Sequence, residues 1–156
     1  VVGLKEVERL RNQLEKKVGR KCMPVWHKSR GKDNWIKTVK EYDYVAIGGI
    51  VTKEIKSTEY KYFHYLIKIA HENNCKVHGL GFTNMKGMKE YRFDSVDSTS
   101  WLSGTKFGHV YKFNGETMLK FDKKLGQRVI THKTAMNNFE EWVKFANYME
   151  KNDIIR

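Results

Sequence analysis

Tyr44-Val45-Ala46-Ile47-Gly48-Gly49-Ile50 decides how this chain is read. An unbroken apolar run stopped by two glycines is the pattern of a strand buried on both faces, which belongs in a parallel sheet. Upstream, Lys21 to His27 reads as a short strand containing Cys22-Met23-Pro24-Val25-Trp26. A helix follows it from about Asp33 to Tyr42, with Asp33 or Asn34 as its cap. Downstream, Ser57 and Thr58 open a helix to about Asn73, with Tyr62, Tyr65, Leu66 and Ile69 along one side. Val77 to Phe82 is the third strand, Asn84 to Tyr91 a short helix or turn, and Phe93 to Trp101 holds the fourth strand. Strands alternating with helices make βαβ units.

Outside this block the pattern changes. Leu4, Val7, Leu10, Leu14 and Val18 recur at helical spacing, and Gly19 closes the helix. The charges between Lys5 and Lys17 read as its solvated face. Gly108 to Phe113 and Thr117 to Phe121 flank Asn114-Gly115, a hairpin signal. A last amphipathic helix runs from about Ala135 or Asn137 to Met149, carrying Phe139, Trp142, Val143, Phe145 and Ala146. Residues 1–104 are expected to carry the βα units and 105–156 to pack on the same domain as hairpin and helix.

The chain has 156 residues, 40% of them hydrophobic, which is too apolar for a disordered chain. No run approaches the ~18 apolar residues of a membrane span, and Val1-Val2-Gly3-Leu4 leads into a charged helix rather than a secretory signal. Thirty Lys and Arg against eighteen Asp and Glu leave a net charge of +12. That excess favours a polyanionic partner, nucleic acid first, and lysine predominance suits phosphate contact better than base readout. Cys22 and Cys75 lack any CxxC or Cys/His spacing. They read as reduced, half-buried thiols in a cytoplasmic setting, with no zinc site, disulfide or other cofactor indicated.

Each expected strand ends in polar residues or glycine, at His27, Gly48-Gly49, Gly81 and Asp97. In parallel α/β architectures the carboxyl ends of the strands build the ligand site. The segments YVAIGGIVTKE, VHGLGFT and FDSVDSTSW together resemble the tRNA-guanine transglycosylase superfamily, nearest to the compact transglycosylase-like proteins of bacteriophages. The resemblance spans roughly Cys22 to Trp101. It implies an α/β fold, a partial (β/α)8 TIM-type barrel with about the last four βα units, followed by the hairpin and terminal helix. Such a barrel typically needs ~250 residues. The absence of an initiator Met at Val1 fits a chain that begins partway through its fold.

By resemblance, Gly48, Gly49 and Ile50 line a guanine pocket, with Glu54 in an acidic position at a helix start. His78 and Leu80 flank the flat base, and Gly81 lets the backbone approach it. Asp97 in Val96-Asp97-Ser98 is the expected nucleophile, with Asp94 an earlier structural acid. His27 stands where the family has a base-reading glutamine. Lys28, Arg30 and Lys106 are candidates for flanking phosphates. The implied activity is that of a pentosyltransferase exchanging guanine or a 7-deazaguanine-type base in tRNA or DNA, in the host cytoplasm if phage-encoded. Two features depart from the family: the CxCxxC zinc segment is absent, and nothing before Cys22 supplies the earlier aspartates. The missing units imply either an amino-terminal half-barrel or a second copy in a homodimer.

Each residue has a plainer reading. Asp97 can cap a turn with Ser98-Thr99-Ser100, Gly48-Gly49 can serve tight packing, and His27 and His78 can be satisfied polar groups. Trp26, Trp35, Trp101 and Trp142 read as core or half-buried anchors, with base stacking as the alternative. Two other functions compete: a non-catalytic nucleic-acid-binding module, and a barrel metal hydrolase with His27, His78 and Asp97 as ligands.

Overall fold

The computed structural model describes residues 3–124, 126, 128 and 130–155. The chain is α/β and divides into two compact units, Val1–Leu80 and Gly81–Arg156.

In the first unit, helix α1 (Leu4–Val18) ends at Gly19, whose φ of 75° and N–H bond to the Glu15 carbonyl make a left-handed cap. Strand β1 is only Val25–Trp26, shorter than the expected Lys21 to His27. Pro24 has no N–H to give a ladder, and the Cys22 N–H is bonded to the Glu15 carboxylate instead, at 3.1 Å. A 3-10 turn over Lys28–Arg30 leads directly into α2 (Gly31–Glu41). The helix therefore begins before Asp33 and Asn34, and neither residue caps it. Strand β2 (Tyr44–Ile47) lies between β1 and β3 (Lys76–Gly79), parallel to both, as its continuous apolar run requires. Val45, Ala46 and Ile47 are fully buried. Strand β3 stops at Gly79, short of the expected Phe82.

The connection from β2 to β3 corrects the expected helix in two ways. Ser57–Tyr62 is 3-10, with the Glu59 N–H bonded to the Lys56 carbonyl three residues back, and α3 proper is Phe63–Glu72. Its buried face is Phe63, Leu66, Ile67 and Ala70, while Tyr62 and Tyr65 point outward. Phe and Ile lose only apolar surface on burial, whereas each tyrosine hydroxyl would need a partner inside. Trp35 and Val39 of α2 complete this core, and the Trp35 indole N–H donates to the Leu66 carbonyl at 3.2 Å. On α1 the stripe Leu4, Leu10, Leu14 and Val18 is exposed.

In the second unit, Asn84 caps α4 (Met85–Tyr91), its side-chain oxygen accepting from the Gly87 N–H at 2.7 Å. Strand β4 is Ser95–Val96 alone. It lies within the Phe93 to Trp101 stretch expected to hold it, and the rest of that stretch after it is a turn leading into helix α5 (Ser100–Phe107). Ser98 Oγ accepts from the Ser100 N–H at 3.0 Å, and such local hydroxyl bonds compete with a strand ladder. The hairpin forms as expected, with β5 (Val110–Phe113) antiparallel to β6 (Met118–Phe121). Asn114 Oδ1 accepts from the Glu116 and Thr117 N–H groups, which closes its turn. Helix α6 (Thr131–Lys151) begins well before Ala135, where the Thr134 N–H reaches the Ile130 carbonyl. Phe82, Met88, Phe93, Phe145 and Met149 form the buried core of this unit. Among the described residues, no helix is long and apolar enough to cross a membrane.

Candidate functional site

At the carboxyl end of β1, His27 meets Glu54, which lies in the turn after β2. Its Nδ1 is 2.8 Å from Glu54 Oε2. The other carboxylate oxygen accepts from the Ser29 N–H, also at 2.8 Å. The Ser29 N–H, followed by the His27 bond, holds the Glu54 carboxyl below the usual carboxylate range despite partial burial. An ionised carboxylate only accepts, so Nδ1 of His27 carries the hydrogen in this bond. Glu54 precedes the 3-10 turn at Ser57, so it occupies a loop rather than the helix start expected for it.

The two glycines after β2 make this pair possible. A Cβ on Gly48 would lie 2.7 Å from Val25 Cγ1 and 3.0 Å from the His27 ring. Gly49 has φ of +83°, and a Cβ there would lie 2.9 Å from Glu54 Oε2. The glycine pair therefore accommodates the imidazole and carboxylate of its own chain, side by side. Ile50 beside them is buried in the core. Of the neighbouring cations, Lys28 pairs with Glu59 at 2.5 Å, and Arg30 Nη1 donates to the Val25 carbonyl at 2.7 Å. On β3, half-buried His78 stands in register with Ala46. Leu80 is exposed just beyond the strand, its N–H bonded to the Ile47 carbonyl at 3.2 Å.

The second unit brings two other expected positions into contact. Asp97, immediately after β4, accepts from the Gly81 N–H through Oδ1 at 2.5 Å. It lies at a pocket of about 250 Å³ whose walls include Ser98, Trp101, Phe139 and Trp142. Trp101 and Phe139 meet edge to face, with centroids 5.5 Å apart. Asp94 is half-buried. Lys106 is exposed on α5, its ammonium 5.6 Å from the Phe107 ring centroid. The geometry thus offers an exposed carboxylate, aimed by a backbone amide, beside a flat apolar wall. Such a carboxylate can attack an electrophilic carbon or accept a proton.

Both cysteines are free thiols, Cys75 buried and Cys22 half-buried. Burial, reinforced by Glu15, pushes the Cys22 thiol up, the opposite of an activated nucleophile. Among the described residues, no group of three His, Cys, Asp or Glu side chains could hold a metal ion. The metal-hydrolase reading, with His27, His78 and Asp97 as ligands, therefore gains no support among the described residues.

Sequence reasoning missed the His27–Glu54 pair as a unit, because the partners lie 27 positions apart in chain order. It also grouped Tyr62 and Tyr65 with Leu66 along one side of a helix, whereas the structure buries Leu66 and exposes both tyrosines. The interleaving of Lys61 with Tyr60 and Tyr62 was the available sign that this stretch faces solvent. No protein-family model, curated protein or solved structure matches this chain.

Proposed function

We propose that this chain is a transglycosylase-like α/β protein acting on guanine-type bases in tRNA or DNA, with its βα units forming part of a (β/α)8 barrel. The observation that carries this reading is Asp97: a strand-end carboxylate held by the Gly81 amide, beside an aromatic wall that suits a planar base. In the proposed exchange, a carboxylate oxygen of Asp97 bonds to C1′ of the nucleoside as the C1′–N9 bond breaks. The base leaves with that electron pair and takes up a proton. The incoming base then attacks C1′ through its own nitrogen, releases Asp97 and gives up its proton, so the sugar configuration is retained overall. Extruding the target nucleotide costs a few kcal/mol, which contacts to the strand must offset. The test is to mix the protein with a guanosine-containing oligonucleotide and look for a covalent adduct. An adduct that disappears in Asp97→Asn supports the reading, and no adduct with the wild-type chain overturns it.

The exposed apolar stripe on α1 supports a proposed partner for this face, either further βα units or a second copy of the chain. Strictly monomeric sedimentation at high concentration would exclude the second copy. A non-catalytic nucleic-acid-binding module is the second reading, favoured by the net charge of +12. It is selected if oligonucleotides bind with a steep salt dependence and no base is exchanged.

A further inference from the structure

A cleft of about 240 Å³ in the first unit belongs to neither group described above, and its composition is specific. Its floor is Trp26, Phe63 and Leu66, all buried. Its walls include Tyr62 and Tyr65, which keep 57% and 43% of their surface exposed on a chain segment that buries Phe63 and Leu66. Each of these tyrosines has a lysine over it. Lys32 Nζ lies 4.9 Å from the Tyr65 ring centroid, and Lys61 Nζ lies 5.5 Å from that of Tyr62. Lys28 stands at the rim, tied to Glu59. Apart from these ion-pairing groups the lining is almost wholly apolar, so it has little with which to read a polar edge. It offers flat rings and positive charge.

That combination matches the chemistry of an unpaired nucleotide. A base presents a π face to an aromatic ring whatever its sequence identity, and the adjoining phosphate complements an ammonium group. An acidic peptide would satisfy the lysines but give the two exposed rings nothing flat to stack on. We propose that this cleft is a sequence-tolerant stacking subsite for a single-stranded nucleic acid, with Tyr62 and Tyr65 as base platforms and Lys32 and Lys61 holding the flanking phosphates. The inference rests on the nucleic-acid partner proposed above and adds to it a contact that does not involve Asp97.

The experiment is equilibrium binding of fluorescein-labelled dT12 and rU12 to the full chain across a salt series. Tyr62→Ala combined with Tyr65→Ala is expected to weaken binding by about tenfold or more, with the salt slope unchanged. Lys32→Ala combined with Lys61→Ala is expected to lower that slope by about 0.7 for each phosphate contact removed. Binding of either strand that depends on the tyrosines supports the subsite, and the tighter strand identifies DNA or RNA as its source. A second measurement does not depend on variants folding. Photocrosslinking of a 5-iodouracil oligonucleotide to the wild-type chain should mark Tyr62 or Tyr65. Crosslinks confined to other residues, tyrosine variants that bind like wild type, or equal competition by poly-glutamate would each overturn the proposal. A covalent Asp97 adduct with tyrosine-independent binding sinks the subsite alone, whereas tyrosine-dependent binding without an adduct sinks base exchange alone. A wild-type chain that binds neither oligonucleotide takes down both.

Discussion

The unit Val1–Leu80 and the unit Gly81–Arg156 face the same problem, how to satisfy the backbone of very short strands, and they answer it differently. In the first unit β2 has a strand on each side, so its polar groups are met by other backbone groups. In the second, β5 has, among the described residues, β6 on one side only. Its other edge is met by side chains of α6. Asn138, fully buried, accepts from the Tyr111 N–H at 2.9 Å and donates to the His109 carbonyl at 3.0 Å. Asn137 donates to the Tyr111 carbonyl, and Glu141 accepts from the Phe113 N–H at 2.6 Å. A helix thus completes the sheet edge and covers what would otherwise be a template for pairing with another chain. The first unit does not need polar side chains at the flanks of β2, and it carries a pair of them, His27 and Glu54, at a strand end. Where a strand lacks a backbone neighbour, buried polar side chains are structural. Beyond the end of β2, which has two, the half-buried Glu54 and the His27 it meets are available for chemistry.

The largest expected effect tests the structural half of that contrast. Asn138→Ala leaves the Tyr111 N–H and the His109 carbonyl without their side-chain partner, at a site closed to water. A loss of about 3 kcal/mol in urea unfolding is expected, since each stranded buried group costs roughly 1–3 kcal/mol. A loss under about 0.5 kcal/mol would break the comparison. Next comes Gly49→Ala, which puts an L side chain at φ of +83° and pushes it against Glu54. About 2 kcal/mol of stability should go. The His27 ring nitrogens should shift in a nitrogen NMR spectrum as the Glu54 bond is lost, and an unmoved ring would show that the glycine is not required for the pair.

Glu54→Gln sharpens the first unit's side at about 1 kcal/mol, the scale of a partly exposed charged hydrogen bond. Its sign with pH follows from the direction of the shift. The folded chain holds Glu54 below its ordinary value, so its contribution is complete above the usual carboxylate range and fades as pH falls through the lowered one. Unfolding curves from pH 6 down to pH 3 should therefore be flatter for the Gln variant than for the wild type. Equal slopes would refute the assigned ionisation. The smallest effect belongs to Lys144→Ala. Lys144, the largest cause of the lowered Glu141 carboxyl, is itself exposed. Because Glu141 keeps the Phe113 N–H, the change should stay within about 0.5 kcal/mol, and a larger loss would mean that the ion pair, not the backbone bond, secures that edge.

Strand β2 was legible because a doubly buried strand must be apolar throughout, and Tyr44–Ile47 is, whereas the ends of β1 and β3 were not. The Asn114-Gly115 turn was legible for a local reason as well, since its own side chain closes it. Helix α5 was not, because Ser98 decides locally between strand and turn by a bond that periodicity does not register. The early start of α6 was missed for a related reason. Its inward face includes Thr134, Asn138 and Glu141, residues that a hydrophobic pattern assigns to solvent. Of the candidate site, the sequence pointed to His27, Gly48, Gly49, Gly81 and Asp97 as strand-end positions. It did not indicate that the glycines make room for His27 and Glu54, or that the Gly81 amide is bonded to Asp97.

By itself the sequence determined the βαβ order, the parallel character of β1 to β3, the hairpin and the positive charge. These follow from patterns carried by neighbours in the chain. The tertiary structure alone decided which face of α3 is buried, how a helix completes the edge of β5, and which distant side chains meet at the strand ends. Those outcomes depend on which backbone groups still lack a partner once the strands have paired, and that is settled only between elements far apart in the chain.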